Sequence, residues 1–199
     1  MFTGIVSDLG RVRSVSGTGD KRFEFETAYE AAGIELGASI ACSGACLTVV
    51  DKGPGWFAAT VSDATLSVTT LGGWGEGTPV NFERPLKAAD ELGGHLVLGH
   101  VDAVGEIVEI ADAGDGKRVR VAAPAQLMPY VAVKGSIAVD GVSLTVNAVG
   151  PNPKENWFEV NLIPHTLAVT TFGVAKPGDA VNLEIDMLAR YVARLLGKE

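Results

Sequence analysis

The sequence has few of the features that mark membrane, exported or nucleic-acid-binding proteins. It contains no apolar run of the roughly 18 residues that a membrane span requires. Its opening residues lack the basic segment followed by an apolar one that marks a secretion signal. The formal net charge is −8, and an acidic chain repels phosphate groups. Neither nucleic acid nor a membrane is therefore expected as a partner.

Cysteine is also scarce, with two residues in 199. Cys42 and Cys46 lie four positions apart, which is about 13 Å in an extended segment. That separation exceeds the roughly 7 Å between Cα atoms that a disulfide tolerates. We expect two free thiols and hence a reducing compartment, most simply the cytoplasm.

Signatures of cofactors and metals are missing as well. The chain has no phosphate-binding glycine loop and no GxGxxG motif. A metal site would need His95, His100 and a third ligand, but five-residue spacing in an extended strand points the two imidazoles to opposite faces. We expect no metal and no cofactor, and interpret His95 as a residue hydrogen-bonded within a linker.

What the chain does contain is an internal repeat. The segment SIACSGACLTVV at 39–50 returns as SIAVDGVSLTVN at 136–147, with seven of twelve residues identical. One exchange places Ser143 where the first copy has Cys46. A chain that repeats itself in this way is a duplication, with one domain in each half.

Both copies alternate apolar and polar residues as strands do. Leu47 and Leu144 belong to the apolar face, so Cys46 and Ser143 should lie on the opposite face, each beside a threonine two residues later. A solvated outer barrel face explains this pattern. A pair of related sites with different tasks explains the exchange of a thiol for a hydroxyl.

Further matched segments extend the repeat over most of the chain. ATLSVTTLGG at 64–73 matches HTLAVTTFGV at 165–174 in six of ten positions, and an insertion falls in the loop 150–156. Short strands with glycine turns are predicted in each half. Those outside the central repeat are 2–6, 10–15 and 23–27 with their copies 97–101, 105–110 and 118–122. The predicted fold is all-β: two pseudo-symmetric six-stranded antiparallel barrels plus a C-terminal α-helix.

The remaining segments connect or extend these barrels. We place the first barrel at 1–88, a polar linker at 86–95 and the second barrel at 96–186. In 187–199, Leu188, Tyr191, Val192 and Leu195 form one apolar stripe of a helix that Asp186 can cap. A helix of about three turns is marginal alone. Its stripe must pack on the body or on other copies of the chain.

Several segments together resemble the riboflavin synthase family. They are MFTGIV at the start, the repeated SIAxxGxxLTV, GGHLVLGHVD at 93–102, IPHTLAVTTFG at 163–173 and VNLEID at 181–186. They occur in the family's order and span essentially the whole sequence.

The resemblance implies a function and an assembly. Enzymes of this family dismutate two molecules of 6,7-dimethyl-8-ribityllumazine into riboflavin and 5-amino-6-(ribitylamino)uracil, without a metal or organic cofactor. Each barrel would bind one lumazine. The chain would form a homotrimer through its C-terminal helix, with active sites between barrels of neighbouring subunits. The resemblance also admits an association with lumazine synthase.

The resemblance also assigns residues to the site. As catalytic residues it implies Cys46, Ser143, His100, Thr145, Thr48 and Phe2. The positions that it implies for substrate contacts are Gly4, Ile5, Val6, Cys46, Leu47, Thr48, Val61, Ser62, Asp63, Ala64, Thr65, Gly99, His100, Val101, Lys134, Ser143, Leu144, Thr145, Leu162, Ile163, Pro164, His165, Thr166 and Asp186.

The residue types fit the chemistry that the resemblance implies. One lumazine must lose a proton from its 7-methyl group, for which His100 or an ordered water is a sufficient base. Cys46 or Ser143 could trap the other lumazine as a nucleophile, and our hypothesis gives activation to the Cys46 side. One departure is Ala64, where the family usually has an acidic residue; Asp63 is the candidate to compensate.

Two other functions remain open. A non-catalytic lumazine or flavin carrier of the lumazine protein type would share the fold. Carriers tend to lose some of Cys46, Ser143 and His100, which this chain retains together. A redox flavoenzyme of the split-barrel type is less well supported, because no nicotinamide-binding domain follows.

Overall fold

The computed structural model describes residues 1–151 and 155–197, and it has two closed barrels of six antiparallel strands each. The first barrel has the spatial order β1-β2-β5-β4-β3-β6. Its strands are β1 Asp8–Ser16, β2 Lys21–Glu26, β3 Ser39–Cys42, β4 Ala45–Gly53, β5 Trp56–Val61 and β6 Pro79–Glu83. Helix α1, Asp63–Val68, follows β5.

The second barrel repeats this arrangement, with the order β10-β11-β8-β7-β12-β9. Its strands are β7 Ala103–Ala113, β8 Gly116–Ala122, β9 Ser136–Val139, β10 Val142–Val149, β11 Trp157–Leu162 and β12 Ala180–Ile185. Helix α2, Pro164–Val169, follows β11 as α1 follows β5. The predicted fold class is confirmed. The domain boundaries remain a prediction, and the insertion loop at 150–156 lies partly outside the described residues.

The alternation predicted for the central repeat is present in both barrels. Leu47 and Leu144 are buried in the two cores, whereas Thr48 and Thr145 are exposed on the outer face. Cys46 and Ser143 are partly buried on that same outer face. Because successive strand side chains alternate, the buried aliphatic residues hold the polar ones in a fixed outward direction.

The predicted opening strand at 2–6 is wrong, and so is its copy at 97–101. Phe2 makes only an isolated bridge with Val97. Each segment instead crosses to the opposite barrel, because its apolar end is buried there. Val6 packs on the core of the second barrel and Val101 on that of the first. The barrels therefore exchange the segments that precede them.

Two asparagines join the barrels across a pseudo-twofold seam. Asn81 Nδ2 donates to the carbonyl of Asp140 at 2.9 Å, and Asn182 Nδ2 donates to that of Ser43 at 2.8 Å. Their amide oxygens accept backbone N–H groups of Thr171 and Thr70 at 2.8 Å each. Buried amides paired on both sides fix the relative orientation of the barrels.

Both cysteines are free, as predicted, but for a different reason. The segment between them is a hairpin and not an extended strand, because β3 ends at Cys42 and β4 begins at Ala45. Cys42 opposes Ala45 and is fully buried in the first core, while Cys46 is on the outer face. Alternation separates the two thiols, and burial raises the pKa of Cys42 well above its ordinary value.

The C-terminal helix α3 spans Met187–Leu195, and Asp186 caps it by accepting the N–H of Leu188 at 2.9 Å. Arg190 ties it to the second barrel through a 2.6 Å ion pair with Asp102. The stripe of Leu188, Tyr191, Val192 and Leu195 faces away from the barrels, with exposures of 55–86%. In the described parts of the chain, no helix has the length and apolar character needed to cross a membrane.

Candidate active site

One half-site forms where the N-terminal segment crosses the second barrel. The carbonyl of Gly4 accepts the backbone N–H of Ser143 at 2.8 Å. Gly4 has φ +76°, and a Cβ there would lie 2.5 Å from Cβ of Ser143. Only glycine satisfies both the left-handed backbone and this close approach. The glycine thus brings the N-terminal segment against the strand that carries the hydroxyl.

The other half-site repeats this contact around the thiol. The carbonyl of Gly99 accepts the backbone N–H of Cys46 at 2.9 Å. Gly99 has φ +80°, and a Cβ on it would lie 2.5 Å from Cβ of Cys46. We call Cys46 together with the crossing segment 97–101 the thiol half-site. The hydroxyl half-site is Ser143 with the segment 2–6.

A buried glutamate at the end of each barrel holds the crossing segment. Glu83 accepts the backbone N–H groups of Thr3 and Gly4 at 2.6 and 2.9 Å, and the Thr3 hydroxyl at 2.7 Å. Glu184 accepts three backbone N–H groups, from 98, 99 and 100, at 2.6, 2.9 and 2.9 Å. Burial raises the pKa of both carboxyls, and the amide hydrogen bonds oppose that rise.

The largest difference between the half-sites is His95. Its Nδ1 lies 2.7 Å from Oγ of Ser143, and the side chain is only 8% exposed. Its Nε2 is buried and has no hydrogen-bond partner among the described residues. Burial lowers the pKa of His95 below 6.5, against the opposing charge of Asp186. The imidazole is therefore neutral at neutral pH.

The hydrogen bond between His95 and Ser143 could not be predicted from the sequence pattern. We predicted that His95 is hydrogen-bonded within a linker, and it is hydrogen-bonded, but to a residue predicted for the site. Among the described residues, the Ser143 hydroxyl has an imidazole hydrogen-bonded to it and the Cys46 thiol does not.

The other predicted contact residues fall beside one half-site or the other. The register that pairs Val49 with Ala59 places the end of β5 beside the start of β4, which carries Cys46. The equivalent pairing of Val146 with Val160 places the end of β11 beside Ser143. Residues of the β5–α1 junction are Val61, Ser62, Asp63, Ala64 and Thr65; those of the β11–α2 junction are Leu162, Ile163, Pro164, His165 and Thr166.

The remaining predicted residues are less uniform in their surroundings. His100 and Ile5 are exposed at equivalent positions of the crossing segments, and Lys134 is exposed at the turn before β9. Phe2 is fully buried with Val97 in the small apolar cluster between the barrels. Its predicted place near the reacting carbons stays a prediction.

The β5–α1 and β11–α2 junctions differ at the position of Ala64, where an acidic residue was expected. Ala64 and Asp63 are both exposed on α1, and His165 is exposed at the place of Ala64 on α2. Ser62 caps α1 through the N–H of Thr65, at 3.2 Å, whereas Ile163 supplies no side-chain cap to α2. Among the described residues, no group of three or more His, Cys, Asp or Glu is placed to hold a metal ion.

The repeated barrel with a crossing segment defines the class of the protein. A family model described as "Lumazine binding domain" matches residues 3–85 and again 98–186. A solved structure of LumP complexed with 6,7-dimethyl-8-(1'-D-ribityl) lumazine has the same fold, with a TM-score of 0.81 over 92% of this chain and 98% of that one. Its sequence identity is 22%, so the likeness concerns the fold alone.

Relatives over the full length narrow this class. A riboflavin synthase of Brucella abortus is 52% identical, and one of Mycobacterium bovis is 46% identical; each match covers 98% of both chains. The chain belongs to the riboflavin synthase family. As a member of it, the chain is an enzyme of the transferase class.

Proposed function

We propose that the chain is a riboflavin synthase that dismutates two 6,7-dimethyl-8-ribityllumazine molecules into riboflavin and 5-amino-6-(ribitylamino)uracil. The observation that carries this proposal is the pair of half-sites. Each joins a reactive side chain, Cys46 or Ser143, to a segment exchanged from the opposite barrel. A reaction between two copies of one substrate needs two related surfaces, and holding both rings in place supplies much of the acceleration.

The unequal half-sites suit the unequal fates of the two lumazines. One molecule gives up a four-carbon unit and the other receives it, so one must be activated as an electrophile and the other must lose a 7-methyl proton. Cys46 is the better nucleophile because a thiol ionises more easily than an alcohol. We therefore assign activation of the electrophilic lumazine to the thiol half-site.

His95 compensates for the weaker acidity of the Ser143 hydroxyl relative to the Cys46 thiol. In the neutral tautomer that carries its proton on Nε2, Nδ1 accepts a hydrogen bond from the Ser143 hydroxyl at 2.7 Å and directs the oxygen lone pairs outward. Nε2 then carries the N–H, and it is buried without a hydrogen-bond partner among the described residues. Ser143 becomes a stronger acceptor for a lumazine polar group or proton. His100, on the exposed part of its crossing segment, remains the candidate base for the thiol half-site.

The test is turnover of the purified protein with 6,7-dimethyl-8-ribityllumazine, with chelator present and no nucleotide. Absorbance separates lumazine loss from riboflavin formation. We expect one riboflavin for each two lumazines consumed. Tight binding with a shift in lumazine fluorescence and no riboflavin would instead identify a carrier of the lumazine protein type. Denatured protein at equal concentration controls for the uncatalysed reaction.

The homotrimer belongs to the same proposal. The exposed stripe of α3 is apolar over its whole length, with Leu195 at 86% exposure and Tyr191 at 57%. Helices pack through such stripes. Sedimentation should give a trimer for the native chain and a monomer for Leu195→Asp. Val68→Asp, at 54% exposure on α1, is the matched control and should remain trimeric.

An active site shared between subunits is tested by mixing. Cys46→Ala and Ser143→Ala each disable one half-site of the same chain. If a reaction uses the thiol half-site of one subunit and the hydroxyl half-site of its neighbour, exchange of subunits should restore part of the activity. If both half-sites of one chain work together, the mixture stays inactive.

We also propose the cytoplasm as the compartment, since both cysteines are free thiols. Mass spectrometry of protein alkylated under denaturing conditions immediately after lysis should find both cysteines labelled. Association with lumazine synthase rests on the family resemblance alone, and co-sedimentation of the two purified proteins would test it.

A further inference from the structure

A cavity of about 360 Å³ lies at one end of the second barrel, between β8, the end of β11 and the segment 172–177. Its walls are mainly apolar and include Val119, Leu162, Leu167 and Ala175. Leu162 and Val119 are core residues whose side chains point inward, whereas Ser143 and Thr145 lie on the outer face. The cavity is therefore lined by inward-facing side chains, although Leu162 also belongs to the β11–α2 junction beside Ser143.

Comparison with the first barrel explains the empty space. Trp74 holds the position of Ala175 there, and Phe23 holds that of Val119. The Trp74 ring packs edge-on against Phe23 and Phe25, with centroids 6.2 and 6.3 Å away. In the second barrel, Phe172 stands where the first barrel has Leu71. Its larger side chain fills only part of the space that Trp74 and Phe23 occupy in the first barrel.

The lining of the cavity includes two basic residues, although the chain carries a net charge of −8. These residues are Lys117 and Lys176. Lys117 makes an ion pair with Asp112, whose side chain is 84% exposed. Such exposed pairs contribute little, so an anion could replace Asp112 at low cost. In the first barrel, Gly75 stands where the second has Lys176.

We propose that this cavity binds a small planar aromatic acid, with the ring against Val119, Leu167 and Ala175 and the anionic group between Lys117 and Lys176. The volume lies in the range of small-molecule sites, which combine apolar walls with a few polar groups at fixed places. The bound ring takes the place of the indole present in the first barrel. This site is additional to the lumazine half-sites and does not depend on the proposed reaction.

Indole-3-acetate is the probe, because it joins an indole ring to one carboxylate. Methyl-resolved NMR of the full-length protein should show shifts at Val119, Leu162 and Leu167, with a dissociation constant on the order of 1 mM or below. Tryptamine has the same ring with a positive charge and should bind at least about tenfold more weakly, as charge complementarity requires. Lys176→Ala should reduce this preference for the acid.

Filling the cavity is the decisive variant. Ala175→Trp restores the residue of the first barrel and should weaken binding of indole-3-acetate more than about tenfold. Val119→Phe provides a second filled variant in case the first does not fold. Turnover should be unchanged in both. Unaltered binding in a folded, filled variant overturns the proposal, as does an absence of methyl shifts in the native chain. Displacement by 6,7-dimethyl-8-ribityllumazine would place the acid in a half-site and also overturn it.

Discussion

The two barrels share a backbone plan but differ in what fills and surrounds it. The first core is aromatic, with Phe23, Phe25, Phe57 and Phe82 in contact. The second core has valine at two of these positions and leucine at a third. Outside, the first barrel presents a thiol and the second a hydroxyl paired with His95. The two copies retain the residues that set the backbone geometry. They differ in the side chains that fill the cores and in the reactive side chains.

The equivalent glutamates are the most stringent test of shared geometry. Glu184→Ala leaves three buried backbone N–H groups without an acceptor, which should cost about 3 kcal/mol or more of unfolding free energy. Glu83→Ala leaves two backbone groups and a hydroxyl that can rotate, and should cost about 2 kcal/mol. Urea unfolding measures both values. Losses below about 0.5 kcal/mol would show that the crossing segments do not depend on these carboxylates.

Exchanging the reactive atoms tests whether the half-sites are equivalent. Cys46→Ser puts a hydroxyl in a half-site that lacks an imidazole on its oxygen, and should slow turnover about 100-fold. Ser143→Cys puts a thiol beside His95 and should cost less than about tenfold, because a thiol needs less help to ionise. Steady-state riboflavin formation measures the difference. Full turnover of Cys46→Ser would refute the role given to the thiol half-site.

The paired imidazole should appear in the pH dependence of turnover. Protonation removes the acceptor at Nδ1 of His95, so kcat/KM should fall as the pH drops below that residue's lowered pKa. Glutamine at 95 keeps a hydrogen-bonding amide but does not titrate. His95→Gln should therefore lose the part of the acid limb that belongs to His95 while retaining part of the rate.

His100→Gln is the control for this profile. His100 is exposed and lies on the segment beside Cys46, so its replacement should leave the acid limb that belongs to His95. A profile that loses the limb in His100→Gln and keeps it in His95→Gln would contradict the assignment of Ser143 activation to His95.

The smallest expected effect concerns the seam. Ser43 Oγ accepts the backbone N–H of Asn81 at 3.2 Å, and Asp140 Oδ1 accepts that of Asn182 at 2.8 Å. Burial, with a contribution from Asp179, raises the pKa of Asp140 from 3.8 to about 7. The folded state thus binds this proton more tightly than the unfolded state, so stability should fall as the pH rises from about 4 to about 7.

Asp140→Ser copies the first barrel and removes the titrating group. Its urea midpoint relative to the native chain should be higher at pH 8 than at pH 5. The positive φ of 46° at Asp140 matches that of 41° at Ser43, so the backbone should tolerate the change. A difference that is the same at both pH values would show that Asp140 does not carry this dependence.

Most of the fold could be predicted from the sequence, because the patterns that indicate it lie within short segments or occur twice. Alternation in 39–50 and 136–147 predicts the strands and their buried faces, and the spacing of the final apolar residues predicts α3. The crossing segments could not be predicted this way. Gly4 contacts Ser143 and Gly99 contacts Cys46 across long stretches of chain, and a short apolar segment with glycine also matches a strand.

The site was predicted in its reactive residues but not in their partners. Cys46 and Ser143 stand out because they differ at one position of a repeat. His95 does not, since its partner Ser143 lies 48 residues away in the sequence. Glu83 and Glu184 were visible only as repeated residues, because their acceptor role depends on the crossing that the sequence did not reveal.

The claim that each chain has two different ligand half-sites is tested most directly by titration. A 7-oxo analogue of the lumazine has no 7-methyl proton to lose, so it should bind without reacting. Calorimetry should give two equivalents per chain with different affinities. Thr48→Arg should remove one of them and Thr145→Arg the other. One equivalent in the native chain, or loss of all binding in either variant, would contradict the account.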